Sequence, residues 1–286
     1  MAEYKKNHYI PKVILKHWAS KGSKYDGVHV YEIESQSNSF STANGGSGFS
    51  FAIVNDLYVP IIDGERVVSA EKWLSGLEAE IGKTLPQITV GGDIRYDSLS
   101  SAAKFIMALL SLEFRSEYLL KKFKETIDSD SKIQEFVGKK NGRTTNQIVV
   151  ENIVNSVDEH FRRLTPIQMT IFQTTSSEFI ISDRPVLDES YVGQRIVVLT
   201  PQIAVAITQG SQPYEYKYVT AKDELVHSIN EFIAINARSW IAAKTESTLK
   251  RYQPLIGSDR WTKARDTEKI VTQPFELLSA GWEFKK

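Results

Sequence analysis

Five places in this 286-residue chain carry residue types that could do chemistry. The first is Asn7-His8-Tyr9, just before Pro11 and an apolar run. A helix starting at Pro11 would offer free N–H groups and a positive dipole end to an anion. His8 could then act as acid, base or phosphate donor. The plainer alternative is that Asn7 or His8 caps the helix and Tyr9 staples it to the core. Glu78 flanks an apolar stripe beside Leu74 and Ile81, and Arg115 shares a helical line with Ala108, Leu112 and Leu119. A buried guanidinium needs a carboxylate or an anionic ligand, because an unpaired charge costs several kcal/mol; it can otherwise snorkel to water. Glu78 is therefore a counter-ion for Arg115, or a metal ligand or general base. Glu80 points further outward, into solvent. In "FIISDRP" (179–185) an apolar strand ends at Asp183. That is a place for an active-site carboxylate or for a turn Asp that satisfies backbone N–H groups. Asn230 sits inside a predicted helix, where its propensity is poor, so it bonds a buried polar group or faces water. His160 and His227 read as ordinary surface or core histidines.

The elements that must position these residues follow from periodicity. Ile14, Leu15 and Trp18 continue a helix from Pro11. "GVHVYEIE" (27–34) alternates as a strand does, and "FAIVNDLYVP" reads as another extended segment. A helix begins near Ser69, with Leu74, Leu77, Ile81 and Leu85 as its stripe. The spacing next predicts one long central helix through "AAKFIMALLSLEFRSEYLLKKF", capped by Ser98, Ser100 or Ser101. A short helix at 130–137 and an amphipathic one from "TTNQIVV" to "FRRL" follow. Beyond Pro166 come short β-like runs. A helix over "TAKDELVHSINEFIAINA", with Thr220 as cap, and a strand at "SWIAAKT" close the pattern. The expectation is an α+β fold: a helical layer, mainly N-terminal, on a mostly antiparallel sheet, mainly C-terminal. Residues 1–286 read as a single domain with a helix-rich half (1–165), a strand-rich half (166–249) and an extended tail (250–286).

Composition narrows the classes. Lys plus Arg equals Asp plus Glu, 35 each, so no global nucleic-acid footprint exists; "KKFK" (121–124) and "KKNGR" (139–143) are local basic runs of the kind that are usually solvated. No cysteine is present, which excludes disulfides, thiolate nucleophiles and Cys-based zinc sites and fits a reducing cytosol. No signal-peptide h-region and no run near the ~18 apolar residues of a membrane span is visible. Walker, HExxH, GxSxG and dinucleotide motifs are absent, and "NGGSG" (44–48) reads as a flexible loop.

The motifs, in order, resemble the bacterial domain-of-unknown-function family 4238. The residues concerned are His8-Tyr9-x-Pro11 with Leu15 and Trp18, "LEAEIGKTL" (77–85), "LEFRSEYL" (112–119), "FIISDRP", "VVLTPQIAVAI" (197–207) and "INEFIAINAR" (229–238). Arg184 departs from the pattern, standing where the family often has a small or amide residue. The family has no settled activity; roles in phage defence or as a toxin stay open. The resemblance implies that His8, Glu78, Arg115 and Asp183 form one constellation. As an enzyme, the chain would use His8, Glu78 and Asp183 as catalytic groups and Asn7, Tyr9, Arg115 and Asn230 as ligand-binding ones. Such a set suits hydrolysis of a phosphate-containing small anion or a nucleic acid, with a divalent cation such as Mg²⁺ as candidate cofactor. Alternatively, the same residues are a structural network in a non-catalytic ligand-binding or protein-interaction module. The expected setting is the cytoplasm, with no membrane partner and an open oligomeric state.

Overall fold

The computed structural model describes residues 6–22, 24–43, 48–62, 64–136, 144–189 and 194–256. Most of the "NGGSG" loop, the "KKNGR" run and the tail anchors Trp261, Phe275 and Trp282 lie outside the described residues. In chain order the elements are β1 (Lys6–His8), α1 (Lys12–Leu15), β2 (Ser20–Lys21), β3 (Asp26–Glu32), β4 (Ser37–Thr42), β5 (Ile53–Asn55), β6 (Ile61–Ile62) and β7 (Glu65–Arg66). The helices α2 (Ser69–Thr89), α3 (Leu99–Ser111), α4 (Glu117–Ser129), α5 (Ser131–Phe136) and α6 (Thr145–Leu164) follow. Next come β8 (Ile167–Gln173), β9 (Ile181–Ser182), β10 (Val186–Glu189), β11 (Gln194–Thr200), β12 (Ile203–Gln209) and β13 (Glu215–Thr220). The chain closes with α7 (Asp223–Asn236), β14 (Trp240–Ala243) and α8 (Glu246–Tyr252). The fold is α+β. It divides into two compact units that are discontinuous in sequence: unit 1 holds 1–13 and 52–163, unit 2 holds 14–51 and 164–286.

Unit 1 is the helical one. Leu74, Leu77, Ile81, Leu85 and Ile88 are buried along α2, which packs on α3. Gly91, at φ +67°, ends α2 with its N–H on Ile88 O, a left-handed stop that glycine makes without steric cost. Ser98 caps α3 by accepting the Ser101 N–H. The long central helix expected from 102 onward is in fact two helices. The backbone tightens through Leu112, Glu113 and Phe114, whose N–H groups bond three residues back, and α4 restarts after an extended Ser116. Arg115 therefore sits in the break, not on a helix face. The N-terminus is likewise no helix cap. Residues 6–8 form β1, antiparallel to β5 with Asn7 opposite Val54.

Unit 2 contains the main sheets. One has the order β10-β11-β12-β8-β13, antiparallel except where β13 runs parallel to β8. Its central strands are buried from Ile196 to Leu199 and from Ala204 to Ile207, so both of their faces are covered. The other sheet has the order β2-β3-β14-β9, with β4 also on β3. Helix α7 packs against β9 and β10, and α8 against β14 and β3. Because β13 continues to Thr220, α7 starts only at Asp223, with Lys222 at the cap position; Thr220 is a strand end.

Gly27 marks the closest approach in this second sheet. A Cβ there would lie 2.4 Å from Ser41 O and 2.8 Å from a Phe40 ring carbon. Gly27→Ala should therefore lower stability by roughly 1–3 kcal/mol in denaturant unfolding. An unchanged midpoint would contradict this packing of β3 on β4.

Candidate functional site

The polar residues of unit 1 converge on Arg115. Its side chain is 3% exposed, and its Nη2 donates to Glu78 Oε1 at 2.5 Å and to His8 O at 3.0 Å. Nε donates to the Tyr58 hydroxyl at 3.4 Å, and that hydroxyl donates to Arg115 O at 3.0 Å. The guanidinium also lies over the Tyr58 ring, 5.4 Å from its centroid. The break between α3 and α4 makes this possible, since it leaves the Arg115 carbonyl outside both helices, where Tyr58 takes it. Burial alone would lower the Arg115 pKa. The Glu78 carboxylate and Tyr58 more than offset that, so the pKa is raised and the group stays cationic. Burial pushes the Tyr58 hydroxyl far up, with Arg115 pulling the other way.

Asn7 and Glu71 complete the centre. Asn7 is 1% exposed, and its Oδ1 accepts the Leu57 N–H at 2.9 Å, fixing β1 to the segment after β5. Its Nδ2 and Glu71 Oε2 are both buried and miss full hydrogen-bond geometry, yet the amide lies near enough to favour the Glu71 carboxylate. Burial raises the Glu71 pKa; Arg115 lowers it, Glu78 raises it further, and the Asn7 amide lowers it. Tyr9 is buried and its N–H bonds Ala52 O at 3.2 Å. His8 contributes its backbone carbonyl, while its side chain is half-buried. Glu80, placed in water by the sequence pattern, is buried and paired with Lys83 at 3.1 Å.

Asp183 and Asn230 belong to unit 2, and each has its own partners there. Asn230 Oδ1 accepts the Ile180 N–H at 2.9 Å and its Nδ2 donates to Glu178 O at 2.8 Å. One side-chain amide thus replaces a missing strand neighbour for residues 178–180. Asp183 Oδ1 accepts the Arg238 N–H at 2.9 Å, tying the end of β9 to the chain entering β14. Burial raises the Asp183 pKa, against the backbone N–H groups of Arg238, Ser239 and Trp240 and the Arg184 charge. Of the other histidines, His227 Nδ1 is 2.6 Å from the Tyr252 hydroxyl, and His160 packs on Phe114 with ring centroids 5.1 Å apart.

Two further members of the centre, Glu71 and Tyr58, are not among the residues the sequence points to. Glu71 stands in the first turn of α2, where a carboxylate is favourable whatever else it does. Its signal was the seven-residue spacing to Glu78, which places both carboxylates on one helix face. Tyr58 carries no local signal. Among the described residues, no three His, Asp or Glu side chains gather closely enough to hold a metal ion.

A pocket of about 430 Å³ opens elsewhere in unit 1. Ile62, Val67, Trp73, Val150 and Val154 supply apolar wall, and among its described lining residues Glu151 is the single charged one. Gln147 Nε2 donates to Glu151 Oε1 at 3.0 Å. The same stretch of chain builds both features. Tyr58 lies just before β6 and Glu71 lies in the first turn of α2, next to residues of both stretches that line the pocket.

These features define an α+β protein organised around a buried arginine–carboxylate centre. The chain belongs to the family described as "Protein of unknown function (DUF4238)", whose model matches residues 6–247. None of the curated proteins and none of the solved structures matches it significantly. Among the described residues no helix is long and apolar enough to cross a membrane.

The raised Glu71 pKa has a definite sign. As pH rises, the unfolded chain releases this proton first, so Glu71 lowers stability between its ordinary range and its raised folded value. Glu71→Gln should melt at or above the wild type near pH ~7, and the difference should shrink toward pH ~4. A variant that melts lower by the same margin at both pH values would contradict this.

Proposed function

We propose that the chain is a non-catalytic ligand-binding module whose polar residues form a structural network. The observation that carries this reading is the commitment of Arg115. Its Nη2 and Nε donate to Glu78, His8 O and Tyr58, and the residue is 2% exposed. A guanidinium that clamps a substrate phosphate must present a free donor fork to an open site. This one instead joins α2, β1 and the α3–α4 break. The same network braces the segment that lines the 430 Å³ pocket, and that pocket is of the size and apolar character of small-molecule sites.

A second reading, an acid–base hydrolase of phosphate-containing or nucleic-acid ligands, is favoured by one observation. Glu71, with its raised pKa, stands beside the ion-paired Glu78, and such pairs divide acid and base roles. The described part of the local basic run, Lys121–Lys124 on α4, supports a nucleic-acid ligand weakly. Lys121 and Lys122 are exposed, and Lys122 pairs with Glu125 at 3.2 Å.

Incubation with 4-nitrophenyl phosphate, bis(4-nitrophenyl) phosphate and single-stranded RNA, each with and without Mg²⁺, separates the two. The module predicts no hydrolysis above buffer. Hydrolysis that disappears in Glu71→Gln, with the melting temperature retained, would overturn it.

A further inference from the structure

Resting on the reading of unit 1 as a ligand-binding module, we propose that its pocket takes an uncharged aromatic molecule that carries a hydroxyl or amide group. The walls come from the β6–β7 hairpin, the first turns of α2 and one face of α6. Val67, Val150 and Val154 make them aliphatic, and the half-buried Trp73 adds an indole. Such a surface selects an apolar body by removing it from water. An aromatic body gains more than a saturated one, because the indole offers it offset or edge-on ring contact. The same walls disfavour ions, since aliphatic side chains cannot replace the water that an ammonium or a carboxylate gives up on entering. Glu151 does not reverse this preference. Gln147 Nε2 donates to its Oε1 at 3.0 Å, and Glu151 makes a further interaction besides, so the residue is committed within the protein. The neutral polar group of the ligand has partners of its own kind. Ser69 and Asn155 are exposed members of the lining, and a hydroxyl and a side-chain amide can each both donate and accept a hydrogen bond. Size agrees as well, since about 430 Å³ lies in the ~300–1,000 Å³ range of sites for small ligands.

Four probes of similar shape test the proposal on the full-length protein at neutral pH: 2-phenylethanol, its saturated analogue 2-cyclohexylethanol, the cation of 2-phenylethylamine, and phenylacetate. Affinity is read by equilibrium dialysis. A change in tryptophan fluorescence that is lost in Trp73→Phe assigns the signal to this pocket among the five tryptophans. The proposal expects saturable binding of 2-phenylethanol, roughly tenfold or more tighter than either ion. It expects 2-cyclohexylethanol to bind about threefold more weakly than 2-phenylethanol. Val154→Trp, checked for folding by circular dichroism, fills the cavity and should abolish binding; Ser69→Trp, at an exposed position of the lining, is the second variant. The proposal is overturned if an ion or the saturated alcohol binds at Trp73 as tightly as 2-phenylethanol, or if binding survives in both folded variants. Those outcomes leave the binding module standing. Failure of all four probes to bind also overturns the proposal, whereas the module reading falls separately, by hydrolysis in the phosphoester and RNA assays.

Discussion

A positive charge that cannot reach water organises unit 1. Arg115 is held where burial opposes its charge, and it remains charged because Glu78, the His8 carbonyl and Tyr58 surround it. Each partner comes from a different part of the chain: α2, β1 and the turn before β6. Satisfying one guanidinium therefore fixes three segments at once. An incompletely solvated cation penalises every arrangement in which one of these segments departs, and that penalty gives the pairing its specificity. The N-terminal strand of three residues is too short to hold itself by its ladder to β5, and the Arg115 and Asn7 contacts supply what the ladder lacks.

Unit 2 meets a related demand at two places, one with a neutral amide and one with a carboxylate. Residues 178–180 lack a full strand neighbour, and Asn230 provides one through its amide. The end of β9 is joined to the entry of β14 by Asp183. Both residues serve backbone groups that would otherwise be buried unpaired, at about 1–3 kcal/mol each. Those bonds account for both polar atoms of the Asn230 amide, whereas Asp183 Oδ2 stays buried without a hydrogen-bond partner.

The sequence made some of this readable and hid the rest for physical reasons. The stripe from Leu74 to Leu85 located α2 and its buried face, because long amphipathic helices carry a repeated signal. Glu78 as partner of Arg115 followed from the cost of burying an unpaired charge. The break after α3 did not follow, since residues 102–124 keep helical composition throughout. What interrupts the helix is tertiary: the Tyr58 hydroxyl on the Arg115 carbonyl and the side-chain pairing with Glu78. Ser116 and Glu117 were the only local cue, a cap and a first-turn acid inside an apparent helix. The strand β1 was invisible because three residues show no period. Thr220 resembled a cap because nothing local reveals that β13 runs that far before the helix begins. Tyr58 and Glu71 carry little local mark, because membership of a buried centre is set by where other segments pack.

Amide hydrogen exchange along β1 tests most directly whether Arg115 is a scaffold. In Arg115→Met the account predicts that Tyr9 and the β1 amides lose protection by roughly a hundredfold, the equivalent of about 3 kcal/mol, while α3 keeps its own. Unchanged protection at Tyr9, in a variant that melts like the wild type, would contradict it.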